Sequence, residues 1–346
     1  MNKPNTAVRT ALVLVAATAA LLATGCLERK ETIRVGRDGS VKMLMTIKGE
    51  PSDFESGDAL PQRGSPWKVE EDRIESEPDK NDVRVRVASF DGRKGEPIPD
   101  SFVDERDPNY ETCLRFPTTV NVERRSDGEY FHFNRRYLAR QEARYAIWNE
   151  PLKQSIDKFA GKDPADMTDE ERRELVGTLR AAESMKRAEM VLGAVETMEE
   201  EQKWPQDYGL RLRRVVLDTY ENVNMDDIVT LMGSPAGEDR DTAINAFGAE
   251  LVEKVGERMR KELRELHVSS GDAERFFDAY AAEEARRSAT EDLMDETFRV
   301  ELELPGDVVA HNATSVEDGK LIWEFPGKSL ADRDHVIMAT SRISRK

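Results

Sequence analysis

The sequence predicts an α+β fold, with an antiparallel sheet built from N- and C-terminal strands and a large helical block between them. Three observations carry this. Short segments alternating apolar and polar residues crowd the first 140 positions. From about residue 140 to 296 the apolar spacing changes to three and four. After Thr297 the two-residue alternation returns. Strands on both sides of a helical stretch most simply join one sheet, with helices on one face or projecting from it. Two domains, a split sheet domain and a helical insertion, fit the same pattern. The parts read as residues 1–25, 26–139, 140–296 and 297–346.

The strand-rich part opens with Thr32–Val35 and Val41–Ile47 around Gly36-Arg37-Asp38-Gly39-Ser40, a hairpin signal. Ile33 and Val35 share one face, as do Val41, Met43, Met45 and Ile47. Val83–Val87 alternates strictly. Thr119–Arg124 and Tyr130–Asn134 flank Ser126-Asp127-Gly128, a second hairpin. Glu50–Gly64 and Gly92–Tyr110 read as polar loops.

In the helical part, Thr168-Asp169-Glu170-Glu171 has capping-box spacing ahead of Leu175, Val176 and Leu179. Trp204-Pro205 should end that helix. Asn224 can cap Met225–Met232, with Gly233 as the stop. Ile244, Phe247, Leu251, Val255, Met259, Leu263 and Leu266 form one helical stripe. Ser269–Asp272 breaks it, and Phe276, Phe277, Tyr280 and Leu293 belong to the last helix. Arg211–Leu217 fits helix or strand. The third part has strands at Phe298–Leu304, Lys320–Phe325 and His335–Ala339.

The first 26 residues have their own logic. Lys3 and Arg9 precede an uncharged run from Ala11 to Leu22, and small residues lead to Cys26. This is the order of a secretory signal peptide. The run is short for a bilayer span, which needs about 20 apolar residues. The Gly25-Cys26 ending resembles the lipobox of bacterial lipoproteins, with Leu22 one place earlier than the usual pattern. The resemblance implies a diacylglyceryl group, with acyl chains of the palmitate kind, on the Cys26 thiol and cleavage before it. Leu27 then leans toward outer-membrane sorting. Two or more acyl chains anchor stably, where one binds only marginally.

Net charge is −17, and loss of Lys3 and Arg9 with the leader makes it −19. That excess repels nucleic acid and anionic lipid surfaces, and it argues against nucleic acid as a partner. With Cys26 acylated, Cys113 has no disulfide partner and reads as a small buried residue.

The two ends together resemble the LppM-type domain of bacterial envelope lipoproteins. The residues that carry this are Cys26, Ile33-Arg34-Val35, Asp38-Gly39-Ser40-Val41, Val300–Leu304, Pro305-Gly306, Val308-Val309, Asn312, Leu321-Ile322-Trp323 and His335–Ala339. The helical middle is not covered. The resemblance implies an extracytoplasmic sheet-and-helix domain, with lipid-like ligands as one expectation. It supplies no catalytic residues.

Motifs for chemistry are sparse. His132, His267, His311 and His335 have no second His or Cys at metal-ligand spacing, so neither a metal nor a cofactor is expected. His132 reads as an ordinary strand residue and His335 as the start of a strand after a charged turn. Glu238, Asp239 and Asp241 complement a helix N-terminus. No phosphate loop, GxSxG or HExxH occurs. Phe131, Phe133 and Trp323 either line an apolar ligand pocket or fill the core. The expectation is a membrane-anchored extracytoplasmic protein with a non-enzymatic binding or structural role. Its partner would be an envelope protein or a lipid-like ligand. A hydrophobic-ligand carrier and an envelope-acting hydrolase are the alternatives.

Overall fold

The computed structural model describes residues 27–54, 59–62, 65–76, 82–107, 110, 112–141, 154–155, 157–159, 162–235 and 237–345. Packing divides the chain into two compact units. One takes the described residues of 25–142 and 285–346, the other those of 143–284.

The first unit holds eleven strands among its described residues. They are β1 (Glu28–Val35), β2 (Val41–Gly49), β3 (Lys68–Glu75), β4 (Val83–Gly92), β5 (Thr118–Arg125), β6 (Gly128–Tyr137), β7 (Thr297–Glu303), β8 (Asp307–His311), β9 (Ser315–Glu317), β10 (Lys320–Pro326) and β11 (His335–Ser344). They form a seven-stranded sheet in the order β3-β4-β2-β1-β7-β10-β9 and a four-stranded sheet, β5-β6-β11-β8. Strands from both ends of the chain therefore share one sheet, as the sequence predicts. The structure adds the second sheet and a parallel joint. β1 runs parallel to β7, with Glu28 opposite Thr297 and Arg34 opposite Glu303. A parallel pair needs a long crossover, and here everything from β2 to the last helix lies between the two strands.

Both predicted hairpins form. β1 pairs with β2 from Glu28–Lys48 to Val35–Val41. Gly39 takes φ +86° in the turn, and Asp38 Oδ1 accepts from the Ser40 amide at 3.0 Å. β5 pairs with β6 across the 126–127 turn. The predicted strand at Val83–Val87 becomes β4, between β3 and β2. β3 carries no clear strand signal in the sequence, because Glu70, Glu71 and Asp72 interrupt its alternation. It is an edge strand, where charge is tolerated and discourages further pairing.

The apolar faces of the strands form one cluster. Ile33, Ile47, Leu302 and Ile337 are fully buried in it. Removing such a side chain from water is worth roughly 1.5–3 kcal/mol. The segment read as the polar loop Gly92–Tyr110 contributes Phe102 and Val103 to the buried interior. Phe102 packs on Trp67 and Phe116, with ring centroids 5.6 and 4.9 Å apart.

The second unit is helical. Its elements are α1 (Asp169–Gln202), α2 (Asp207–Glu221), α3 (Met225–Met232), α4 (Glu238–Glu265) and the first part of α5 (Ser270–Asp295), whose last turns belong to the sheet unit. The Thr168/Glu171 capping box forms. α1 ends at Gln202, with Lys203 left-handed at φ 59° just before Trp204-Pro205. The ambiguous Arg211–Leu217 is helix, inside α2. Asn224 Oδ1 caps α3 by accepting from the Asp226 amide at 3.2 Å. The α4 stripe is buried at Leu251, Val255, Met259 and Leu263 against α1 and α2 residues such as Val191 and Leu212. No helix of the described residues is long and apolar enough to cross a membrane.

One contact spans the corner between the two sheets. Asn312 Oδ1 accepts from the Trp323 indole on β10 at 3.0 Å and from the Met338 amide on β11 at 2.8 Å. Its Nδ2 donates to Val336 O at 2.7 Å. The Trp323 ring is buried, so losing Asn312 leaves its N–H without a partner. Asn312→Ala should cost about 1–3 kcal/mol in urea unfolding, with the loss confined to the sheet unit's transition.

Candidate functional site

Cys26 lies outside the described residues. Phe131, Phe133 and Trp323 are brought together in one hydrophobic core, each no more than 2% exposed. Neither of the two cavities described below is lined by them.

The same core carries charge. Alternation along β1 places Arg29 and Glu31 on the face of Ile33 and Val35, and alternation along β6 places Arg135 and Tyr137 on the face of Phe131 and Phe133. The Arg135 guanidinium donates to Glu31. Its Nε donates to Thr118 Oγ1 at 2.7 Å, and Nη2 meets Met43 Sδ at 3.1 Å. The Tyr137 hydroxyl donates to Glu31 Oε2 at 3.1 Å. Burial works against the Arg135 charge, but Glu31 and Tyr137 outweigh it and raise the Arg135 pKa above its ordinary value. Burial first, then Glu31, pushes the Tyr137 hydroxyl up, so it stays a donor. Beside this pair, Arg29 clamps Glu296, with Nη2 to Oε1 at 2.9 Å, between the rings of Phe102 and Phe298. Arg29, Glu31, Tyr137, Phe102, Phe116 and Phe298 border a cavity of about 10 Å³, room for one water molecule.

The second cavity, about 180 Å³, is an open groove on the sheet unit bordered by Cys113, Arg115, Leu138, Arg140 and Arg286. Arg140 is a structural clasp. It donates to the carbonyls of Thr112, Cys113 and Arg286 and to Thr290 Oγ1, at 2.7–3.2 Å. Arg115 pairs with Asp100 at 2.5 Å and lies 3.9 Å from the Tyr110 ring centroid. Tyr110 donates to the same carboxylate, and burial followed by Asp100 raises its pKa to about 12. The Cys113 thiol is buried, its Sγ donating to Tyr110 O at 3.2 Å. The guanidinium walls suit an anion more than an apolar ligand.

The histidines are scattered. His132 contacts Thr340 and Glu123 on the outer face of its strand. His267 and His311 are exposed. His335 stacks on Phe325 with centroids 3.9 Å apart. No group of three or more His, Cys, Asp or Glu that could hold a metal occurs among the described residues.

Sequence reasoning missed the charged cluster, although the signal was present. Extending the Phe131/Phe133 phase by two residues reaches Arg135, and extending Ile33 backwards reaches Glu31. What the sequence lacks is the pairing of β1 with β6 residues across the core.

Two predictions follow from this geometry. Glu31→Leu or Arg135→Met alone strands a buried charge and should cost about 3–5 kcal/mol. The double variant should lose less than either single one, as a denaturation double-mutant cycle would show. For His335, burial and then the nearby Arg333 charge lower the pKa below its ordinary value. The neutral ring therefore stabilises the fold above about pH 6.5, and that contribution disappears as pH falls through the lowered folded-state value. Thermal unfolding between pH 7.5 and 5 should show a steeper loss in the wild type than in His335→Phe.

No family model and no curated protein matches the chain. Among solved structures it has a weak structural relation to the NMR structure of the folded domain of LppM from Mycobacterium tuberculosis. The two are 8% identical over 93% of this chain and 92% of that one, with a TM-score of 0.29.

Proposed function

We propose that the chain is an extracytoplasmic bacterial lipoprotein, anchored through acyl groups on Cys26, whose folded part has a structural or binding role in the envelope. The observation that supports this best is where the fold starts. Leu27, the residue after Cys26, is already packed in the sheet core at 6% exposure, and β1 begins at Glu28. An acylated Cys26 would thus be joined to the sheet with no linker. The buried charges Arg29, Glu31, Arg135 and Glu296 of the sheet unit are engaged in ion pairs that brace its strands, which suits a rigid module. Ligand pockets for lipid-sized molecules span some 300–1,000 Å³, whereas the aromatic-lined cavity here is about 10 Å³. A protein partner in the envelope is therefore the better fit to this core than a carried lipid.

The test is an intact mass of protein purified from host membranes, beside Cys26→Ser. The expected result is a diacylglyceryl-sized addition on the chain starting at Cys26, lost in the variant together with membrane fractionation. An unmodified, soluble mature chain would overturn the reading.

A further inference from the structure

The strand register defines one end of the seven-stranded sheet as the end nearest Cys26. Glu28 lies opposite Lys48 on β2 and Thr297 on β7, and Thr297 lies opposite Pro326 on β10. One step further, Gly49 lies opposite Arg84 on β4, and Arg84 opposite Ile74 on β3. A single row across six adjacent strands thus forms the foot of the sheet. With strands about 4.8 Å apart, Ile74 stands roughly 15 Å from Leu27 along that row.

The foot is amphipathic. Ile74 is 56% exposed, one of the most exposed large apolar residues described. Phe54, half-buried just after β2, lies under the guanidinium groups of Arg84 and Arg86, 5.1 and 5.4 Å from its ring centroid. Lys48 and Lys328 are exposed at the same end. Against these stand exposed Glu28 and Glu75, and Asp72 pairs with both arginines at 2.9 Å. Glu50 and Asp53, next to Gly49, add two more carboxylates, so this end leans acidic and attraction to anionic lipid would not hold it at a bilayer by itself. Apolar tips flanked by long cationic side chains do suit the headgroup layer once something else brings them there.

An acylated Cys26 would do so. One residue spans at most about 3.6 Å, and Leu27 is fixed in the core. We propose that the foot of the sheet, with Lys48, Phe54, Ile74, Arg84 and Lys328, seats against the phospholipid headgroup layer. The β1–β2 turn at Arg37 stands about 25 Å away along the eight residues of β1. This seat rests on the lipid-anchor reading above.

The test uses the full chain, acylated in a bacterial host and reconstituted into phosphatidylethanolamine/phosphatidylglycerol vesicles. An environment-sensitive dye is attached at Ile74→Cys or, separately, at Arg37→Cys. Both positions are exposed, Cys113 is buried from the reagent, and far-UV circular dichroism checks that each variant folds. With a headgroup-level quencher in the lipid, the Ile74 position should be quenched several-fold more than the Arg37 position and emit further to the blue. Vesicle flotation with equal quenching at both, or more at Arg37, would overturn the seat and leave the anchor standing. Failure of the wild-type chain to float, as expected only of Cys26→Ser, would overturn the anchor and the seat with it.

Discussion

The Glu31–Arg135 pair is the contact on which the architecture of the sheet unit turns. It joins β1, central in the seven-stranded sheet, to β6 in the four-stranded one, and both side chains are fully enclosed. Burying two charges is costly unless geometry and further hydrogen bonds compensate. Here Thr118 and Tyr137 supply those bonds. A slip of one residue in either strand would turn Glu31 or Arg135 toward solvent and strand its partner. An all-apolar interface would tolerate such slips more easily, so the pair fixes register as well as contact.

A second buried pair closes the parallel joint. Arg29 on β1 holds Glu296, the residue just before β7. The joint therefore has a charge clamp at the point where the chain returns from α5 into the sheet. Gly327 lies against the same return. A Cβ there would sit 1.5 Å from Leu293 O, so the backbone of α5's last turn can come this close only to glycine. These contacts cluster at the foot of the sheet, beside Leu27. The end that would carry the anchor is thus itself cross-braced.

A filled core shifts attention to surfaces. Phe131, Phe133 and Trp323, which the sequence leaves open between ligand pocket and core, are buried in one hydrophobic cluster. The polar groups with unusual surroundings are tied into ion pairs and backbone clasps. What the sheet unit presents outward is an arginine-walled groove and an amphipathic foot.

The local signals were legible because they are short-range physics. Alternation fixed both hairpins, the capping box and Asn224 fixed helix starts, and Pro205 marked a helix end. The α+β class and the meeting of N- and C-terminal strands in one sheet followed from their order. Three things were decided only by tertiary structure. The direction of the β1–β7 joint is not written locally, because a 269-residue separation between Glu28 and its partner Thr297 leaves it to the path of the intervening chain. The division into two sheets depends on β6 pairing with β11, a contact between residues as far apart as Tyr137 and His335. The charged cluster needed both, since a carboxylate on β1 and a guanidinium on β6 become partners only when the two faces meet across a dry core. Local propensity sees a few residues at a time; desolvation and pairing of charge are properties of the assembled interior.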